Sequence, residues 1–201
     1  MDILSLFPKA VSRNNIGRPF SNIELAVLEN LETRLNSGNV TSTSVYVLEL
    51  PELANLKNII LNDVYEYFEK VISPRDSIEP YITISWTNVT ETDGFHHKHT
   101  HGNSILSGVL YVIADSSSDS ILFYDEVYKT IELRPKNWNV WNSPSWEIPV
   151  ATGDLLLFPS SLNHEVRVIK KSNHKRISLA FNVFIKGTVG SHLDLNWADI
   201  K

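Results

Sequence analysis

The chain has 201 residues, 18 Lys and Arg against 23 Asp and Glu, and a formal net charge of -5 at pH 7. Its 42% hydrophobic and 20% charged residues are the composition of a folded domain, which excludes wholesale disorder. The absence of cysteine excludes a disulfide framework, a thiolate zinc site and a cysteine nucleophile, and the acidic balance argues against a generic binder of nucleic-acid backbone.

The opening MDILSLFPKAVSRNN has no basic segment before an apolar core, so no signal peptide is expected. No run approaches the roughly 18 to 20 apolar residues of a membrane span. Ser21-Asn22-Ile23-Glu24 reads as a capping box. The apolar stripe after it (Ile23, Leu25, Val27, Leu28, Leu31, Leu35) predicts a helix that stops at Gly38. A second helix is expected from about Pro51 to Ile72, ended by Ser73-Pro74.

From Pro80 the pattern changes to strands. Tyr81–Trp86 alternates and is rich in β-branched and aromatic residues. Similar stretches cover Ile105–Ile113, Ile121–Tyr124, Asp154–Phe158, Glu165–Ile169 and Arg176–Ile185. Helices followed by six or more short strands, without βαβ alternation, predict an antiparallel sandwich or barrel braced by helices. The expected organisation is one domain: a helical N-terminal part over 1–79, a β core over 80–187 and a tail over 188–201. Dimerisation through the helical arm stays open, without a heptad pattern to support it.

Four of the seven histidines fall in GFHHKHTHGN: His96, His97, His99 and His101. On a strand, residues i and i+2 share a face, which puts His99 and His101 side by side about 7 Å apart at Cα, with His97 in reserve. Such a pair can chelate a divalent metal; the alternative is a surface His-rich loop. His164 follows a turn at Gly153, an apolar strand and the Pro159 bend. Alone it reads as a hydrogen-bonded turn residue, whereas beside the HxH pair it is the expected third ligand. On RISLAFN, Arg176 and Ser178 share one face and Ile177, Leu179 and Phe181 the other. An inward Arg needs an anionic partner, and a guanidinium fork with a hydroxyl suits a carboxylate. Otherwise Arg176 is an edge-strand residue in a surface ion pair.

These stretches together resemble the 2-oxoglutarate- and Fe(II)-dependent oxygenases, and more narrowly the 2OG-Fe(II) oxygenase family of bacteria and tailed phages. The resemblance runs from about Tyr81 to Ile185 through WTNV, HTHGNSILSGVLYV, ILFYDEV, GDLLLFPSSLNHEV and RISLAFN, in that order. It implies a mainly β protein with flanking α structure: a double-stranded β-helix (jelly-roll, cupin-like) braced by the N-terminal helices. It implies Fe(II) held by His99, His101 and His164, and 2-oxoglutarate held through its outer carboxylate by Arg176 and Ser178. Tyr111, Asn88 and Asn182 would stand around the cosubstrate. It further implies O2 and a small-molecule or peptide substrate, hydroxylated as 2-oxoglutarate is decarboxylated to succinate. The expected compartment is the cytoplasm, that of the host for a phage-encoded protein.

One position departs from the family pattern. The usual triad is two His and a carboxylate, and His101 stands where the carboxylate is expected. Either the triad is three imidazoles, or Asp125 of FYDEV approaches the metal, or the site binds metal without turnover. A cupin-like binding protein is the rival reading. Against it, HxH is followed by Gly102-Asn103-Ser104-Ile105 rather than a Glu, and Arg176 has no role in it. The loop from Tyr128 to Trp146, with Trp138, Trp141 and Trp146, either shapes a substrate pocket or packs on the helices.

Overall fold

The computed structural model describes residues 1–126, 131, 133–171 and 173–201. Chain order among them is β1 (Ser12–Asn15), α1 (Asn22–Glu29), β2 (Thr33–Asn36), β3 (Asn39–Ser42), α2 (Ala54–Tyr67), β4 (Ile78–Glu91), β5 (His96–His99), β6 (Leu106–Ile113), β7 (Ser120–Tyr124), β8 (Ser145–Pro149), β9 (Asp154–Pro159), β10 (His164–Val166), β11 (Lys175–Val189) and β12 (Ala198–Ile200). Two antiparallel sheets result. The larger runs β1-β9-β6-β11-β4-β3-β2 with β12 beside β11, and the smaller runs β5-β10-β7-β8. From β4 to β11 the chain passes back and forth between the sheets, which is the winding of a double-stranded β-helix. No helix among the described residues is long and apolar enough to cross a membrane.

Period-two alternation divides the core in two. On β11, Ile177, Leu179 and Phe181 pack outward from the barrel with Leu56, Ile60 and Val64 of α2. Ala180, with Tyr111, Phe123 and Phe158, faces the space between the sheets. The large sheet is thus buried on both faces, and the helices brace its outer one. Gly108 is required where Phe181 crosses β6, since the two are register partners. A Cβ at Gly108 would lie 2.1 Å from the Phe181 ring. Gly108→Ala therefore overpacks the core and costs about 1 to 3 kcal/mol, read as a lower urea midpoint at unchanged slope.

Several elements differ from the sequence expectation. The capping box forms, with Glu24 N–H donating to Ser21 Oγ at 3.1 Å and Ser21 N–H to Glu24 Oε2 at 2.8 Å. The helix stops at Glu29, however, and Leu35 lies on β2, 89% exposed. Gly38, at φ +80, closes a β2–β3 hairpin whose Val40 and Thr41 pair with Val89 and Asn88 of β4. Pairing with a sheet edge outweighs the helical spacing. The second helix covers Ala54–Tyr67 and ends in a π-helical turn at Phe68–Ile72. Strands β1, β8 and β12 are additional, and β10 ends at Val166 rather than Ile169. Each short strand exists through its partner in the sheet, β9 for β1, β7 for β8 and β11 for β12. The stretch 1–79 thus carries three strands as well as its helices, and β8 begins inside the segment read as a Trp loop. Of that loop, residues 128–130 and 132 lie outside the described residues.

Candidate metal centre

Strands β5 and β10 pair with His99 opposite His164. His101 follows two residues after His99, its N–H donating to Ser160 O at 2.9 Å. One ring nitrogen from each of His99, His101 and His164 lies within 4.8 Å of the others. The ring centroids of His99 and His164 are 4.3 Å apart, those of His99 and His101 5.0 Å, and those of His101 and His164 5.2 Å. His99 Nδ1 meets the His97 carbonyl at 2.7 Å and His164 Nδ1 meets that of Leu162 at 3.0 Å. A carbonyl can only accept, so both Nδ1 atoms carry the proton and both Nε2 atoms keep a free lone pair. Phe158 stands edge-on to His164 and Trp86 lies tilted on His101.

Burial, and then the neighbouring imidazoles, depress the basicity of these rings. The pKa of His164 falls to about 3 and that of His101 to about 4, and His99 is lowered as well. His96 is lowered to about 3 for the same reasons. All four are therefore neutral at pH 7, the state in which an imidazole donates to a metal. An unfolded histidine titrates near 6.5. Between pH 6.5 and about 4 the unfolded chain takes up protons here that the folded chain does not. Stability of the metal-free protein is then full above pH 6.5, falls as the pH drops through that window, and levels off below about 3. Each ring contributes up to about 1.4 kcal/mol per pH unit. The urea midpoint should fall from about pH 7 to pH 5, and less so in His96→Asn. Equal midpoints at the two pH values would refute this.

His96 was not singled out by parity, which places it opposite His97 and His99. Val166 pairs with His96 while His164 pairs with His99, so β5 carries one residue more than β10 over this interval. That bulge turns His96 inward, where its ring stacks on His99 at 4.4 Å between centroids. His97 remains exposed. Asp125, the alternative carboxylate ligand, is half-exposed and paired with Lys9 at 2.7 Å. Among the described residues no carboxylate joins either histidine cluster.

The imidazoles open onto a cavity lined also by Trp86, Tyr111, Ile121 and Phe158. Arg176 also lines it, 3% exposed. Its Nη1 donates to Ser120 O at 3.2 Å, its Nε is buried without a partner, and its Cζ lies 5.0 Å from the centre of the Tyr111 ring. No carboxylate among the described residues pairs with it. Ser178 is the register partner of Asn88 on β4 and of Tyr111 on β6, so the three form one row across the sheet. Asn88 Oδ1 and the Tyr111 hydroxyl are also buried without partners, and burial pushes the Tyr111 hydroxyl up to about 12. A buried cation, unpartnered polar atoms and three neutral imidazoles lining one cavity fit a ligand that carries an anion and chelates a metal.

Asn182 lies outside this cavity. Its Oδ1 accepts from Ser107 Oγ at 3.0 Å, in a chain continuing to Ser160 and Ser104. Since Ser160 also accepts the His101 amide, Asn182 supports the strap that carries His101 rather than the cosubstrate pocket. Sequence reasoning also passed over Asp119 and His174. Both side chains are buried and 2.9 Å apart, and they stiffen the turn whose Ser120 carbonyl holds Arg176.

A double-stranded β-helix with a basic-ended cavity below a cluster of imidazoles is the frame of the 2-oxoglutarate- and Fe(II)-dependent oxygenases. The sequence model of the family described as "Putative 2OG-Fe(II) oxygenase" matches residues 84–182, the segment through which the chain is similar to that family. No curated protein matches by sequence. Among solved structures, HygX from Streptomyces hygroscopicus with nickel and 2-oxoglutarate bound is similar at a TM-score of 0.60 and 14% identity, over 87% of this chain and 82% of that one. A 2OG-Fe(II) oxygenase family oxidoreductase from Burkholderia pseudomallei gives 0.56 and 16%, over 82% and 79%. A prolyl-4-hydroxylase from Pseudomonas putida gives 0.55 and 13%, over 88% and 94%. At such identities the likeness speaks for the fold.

Proposed function

We propose that the protein hydroxylates a small-molecule or peptide substrate, with His99, His101 and His164 holding Fe(II) and with Arg176 and Ser178 binding the outer carboxylate of 2-oxoglutarate. The observation that carries this reading is the guanidinium of Arg176, buried without a counter-ion in the cavity onto which the three imidazoles open. When bound, iron and 2-oxoglutarate supply the oxidative chemistry: the keto acid is decarboxylated to succinate as O2 is consumed and a substrate C–H bond is hydroxylated.

The residues of this chain bind, orient and exclude water. Arg176 offers a fork to the carboxylate, and Ser178 and Tyr111 add hydroxyl donors. The carbonyls of His97 and Leu162 fix two imidazoles with Nε2 free. Phe158, Trp86 and Ile121 wall the cavity with apolar surface, which strengthens every charged contact inside it. Three neutral donors leave the metal's charge undiminished, so its attraction for a dianionic cosubstrate is larger than with a carboxylate in the triad.

A wider groove, with about 1530 Å³ of unfilled space open to solvent, lies beyond Phe123, whose ring centre is 6.1 Å from that of His164. Trp141, Trp146, Leu6 and Phe7 line it, and we assign the prime substrate to this aromatic surface. The neutral triad also favours a second reading, a metal-binding jelly-roll without turnover. One experiment separates the two. The Fe(II)-loaded protein is incubated with 2-oxoglutarate and O2, succinate is measured, and extracts are profiled for +16 mass changes. Succinate formation supports the oxygenase. A metal-loaded protein whose melting temperature does not respond to 2-oxoglutarate refutes it.

A further inference from the structure

A second group of imidazoles lies at the rim of the cavity: His96, His97 and His99, with one ring nitrogen of each within 4.8 Å of the others. All three come from β5, and the bulge opposite β10 brings His96 and His97 to one rim despite their adjacency in sequence. Their ring centroids are 5.2 Å apart for His96–His97, 4.4 Å for His96–His99 and 5.2 Å for His97–His99. We infer that His96, His97 and His99 form an outer site for a borderline divalent cation such as Zn(II), mutually exclusive with the inner triad because both need His99. Imidazole-only donor sets suit Zn, Cu, Fe and Ni over the hard cations Mg and Ca.

Exclusivity follows from the tautomer of His99. Its Nδ1 donates to the His97 carbonyl at 2.7 Å, so Nε2 is its single available lone pair. A neutral imidazole with one lone pair serves one ion. A cation at the rim therefore leaves His101 and His164 as a two-donor site, and a cation inside leaves His96 and His97 likewise. His99 is the pivot between an exposed position and a buried one. The outer site stands on the geometry of β5 alone; its competition with the inner triad rests on the function proposed above.

The test is calorimetric titration of the full chain with Zn(II) against a competing chelator, using wild type, His97→Ala, His164→Ala and the double variant. Wild type and both single variants should bind one Zn(II) per chain. The double variant should bind weaker by about 100-fold or more, since second-layer partners alone are worth roughly 10- to 100-fold and a direct donor more. A folded His164→Ala protein that binds no Zn(II) overturns the outer site, and two ions bound at once by wild type overturn its exclusivity. If His164→Ala does not fold by near-UV circular dichroism, His101→Ala takes its place. Loss of Zn(II) in His97→Ala with retention in His164→Ala would keep the outer site and remove the inner one, so the two failures are told apart.

Discussion

Arg176→Met abolishes the rise in melting temperature that 2-oxoglutarate gives the metal-loaded protein, and leaves the melting temperature of the free protein no lower than wild type. The two halves have opposite signs for one reason. In the free protein the guanidinium is 3% exposed, with a single hydrogen bond to the Ser120 carbonyl and an unpartnered Nε, so its desolvation is poorly offset. Exchange of a buried charge for an apolar chain of similar volume is commonly neutral or stabilising. In the complex the same group is the counter-ion of a carboxylate, and losing it costs about 2 to 5 kcal/mol, roughly 30- to 5,000-fold in Kd. At a concentration 100 times the wild-type Kd, ligand binding stabilises the wild type by about 2.7 kcal/mol and the variant by less than about 1 kcal/mol. Arg176→Lys should fall between, with the charge kept and the fork lost. Differential scanning fluorimetry with Mn(II), with and without 2-oxoglutarate, reads all three. An undiminished shift in Arg176→Met would place the cosubstrate elsewhere.

His164→Ala removes the Mn(II)-dependent response to 2-oxoglutarate, whereas Asp125→Ala retains it. His164 is buried between Phe158 and His99 with its Nε2 free. Its removal leaves the inner site with two donors, one fewer than the facial triad that holds such a cation beside a chelating cosubstrate. Asp125 makes one half-exposed ion pair with Lys9, the kind that contributes about 0 to 1 kcal/mol. Taking the difference with and without metal cancels any folding cost of the substitutions. A normal response in His164→Ala, or its loss in Asp125→Ala, would reassign the third ligand to the carboxylate.

Much of the barrel was legible because burial on both faces leaves a strong local mark. RISLAFN divides by parity, with Ile177, Leu179 and Phe181 toward the helices and Ala180 toward the interior, as the period-two rule requires. The capping box at Ser21 marked the start of α1, because a cap is made by residues three apart. Its end was not marked. Leu31 and Leu35 continue the helical spacing, and only the edge of β4 turns Val40 and Thr41 into strand partners. Strands β1, β8 and β12 were unreadable for the same reason, since three to five residues pair only where a partner strand lies beside them.

The sequence by itself determined the chemistry available: a dense run of imidazoles, a later histidine after a bend, and an arginine sharing a strand face with a serine. It also determined the strand parity that turns Arg176 and Ser178 away from the helix-packed core. Only the tertiary structure decided which imidazoles meet. The one-residue bulge between β5 and β10 brings His96 inward against parity, the packing of the N-terminal segment pairs Asp125 with Lys9, and the pairing of β11 with β6 sets Asn182 behind His101. Register across strands is a long-range choice made by packing, and no spacing along the chain encodes it.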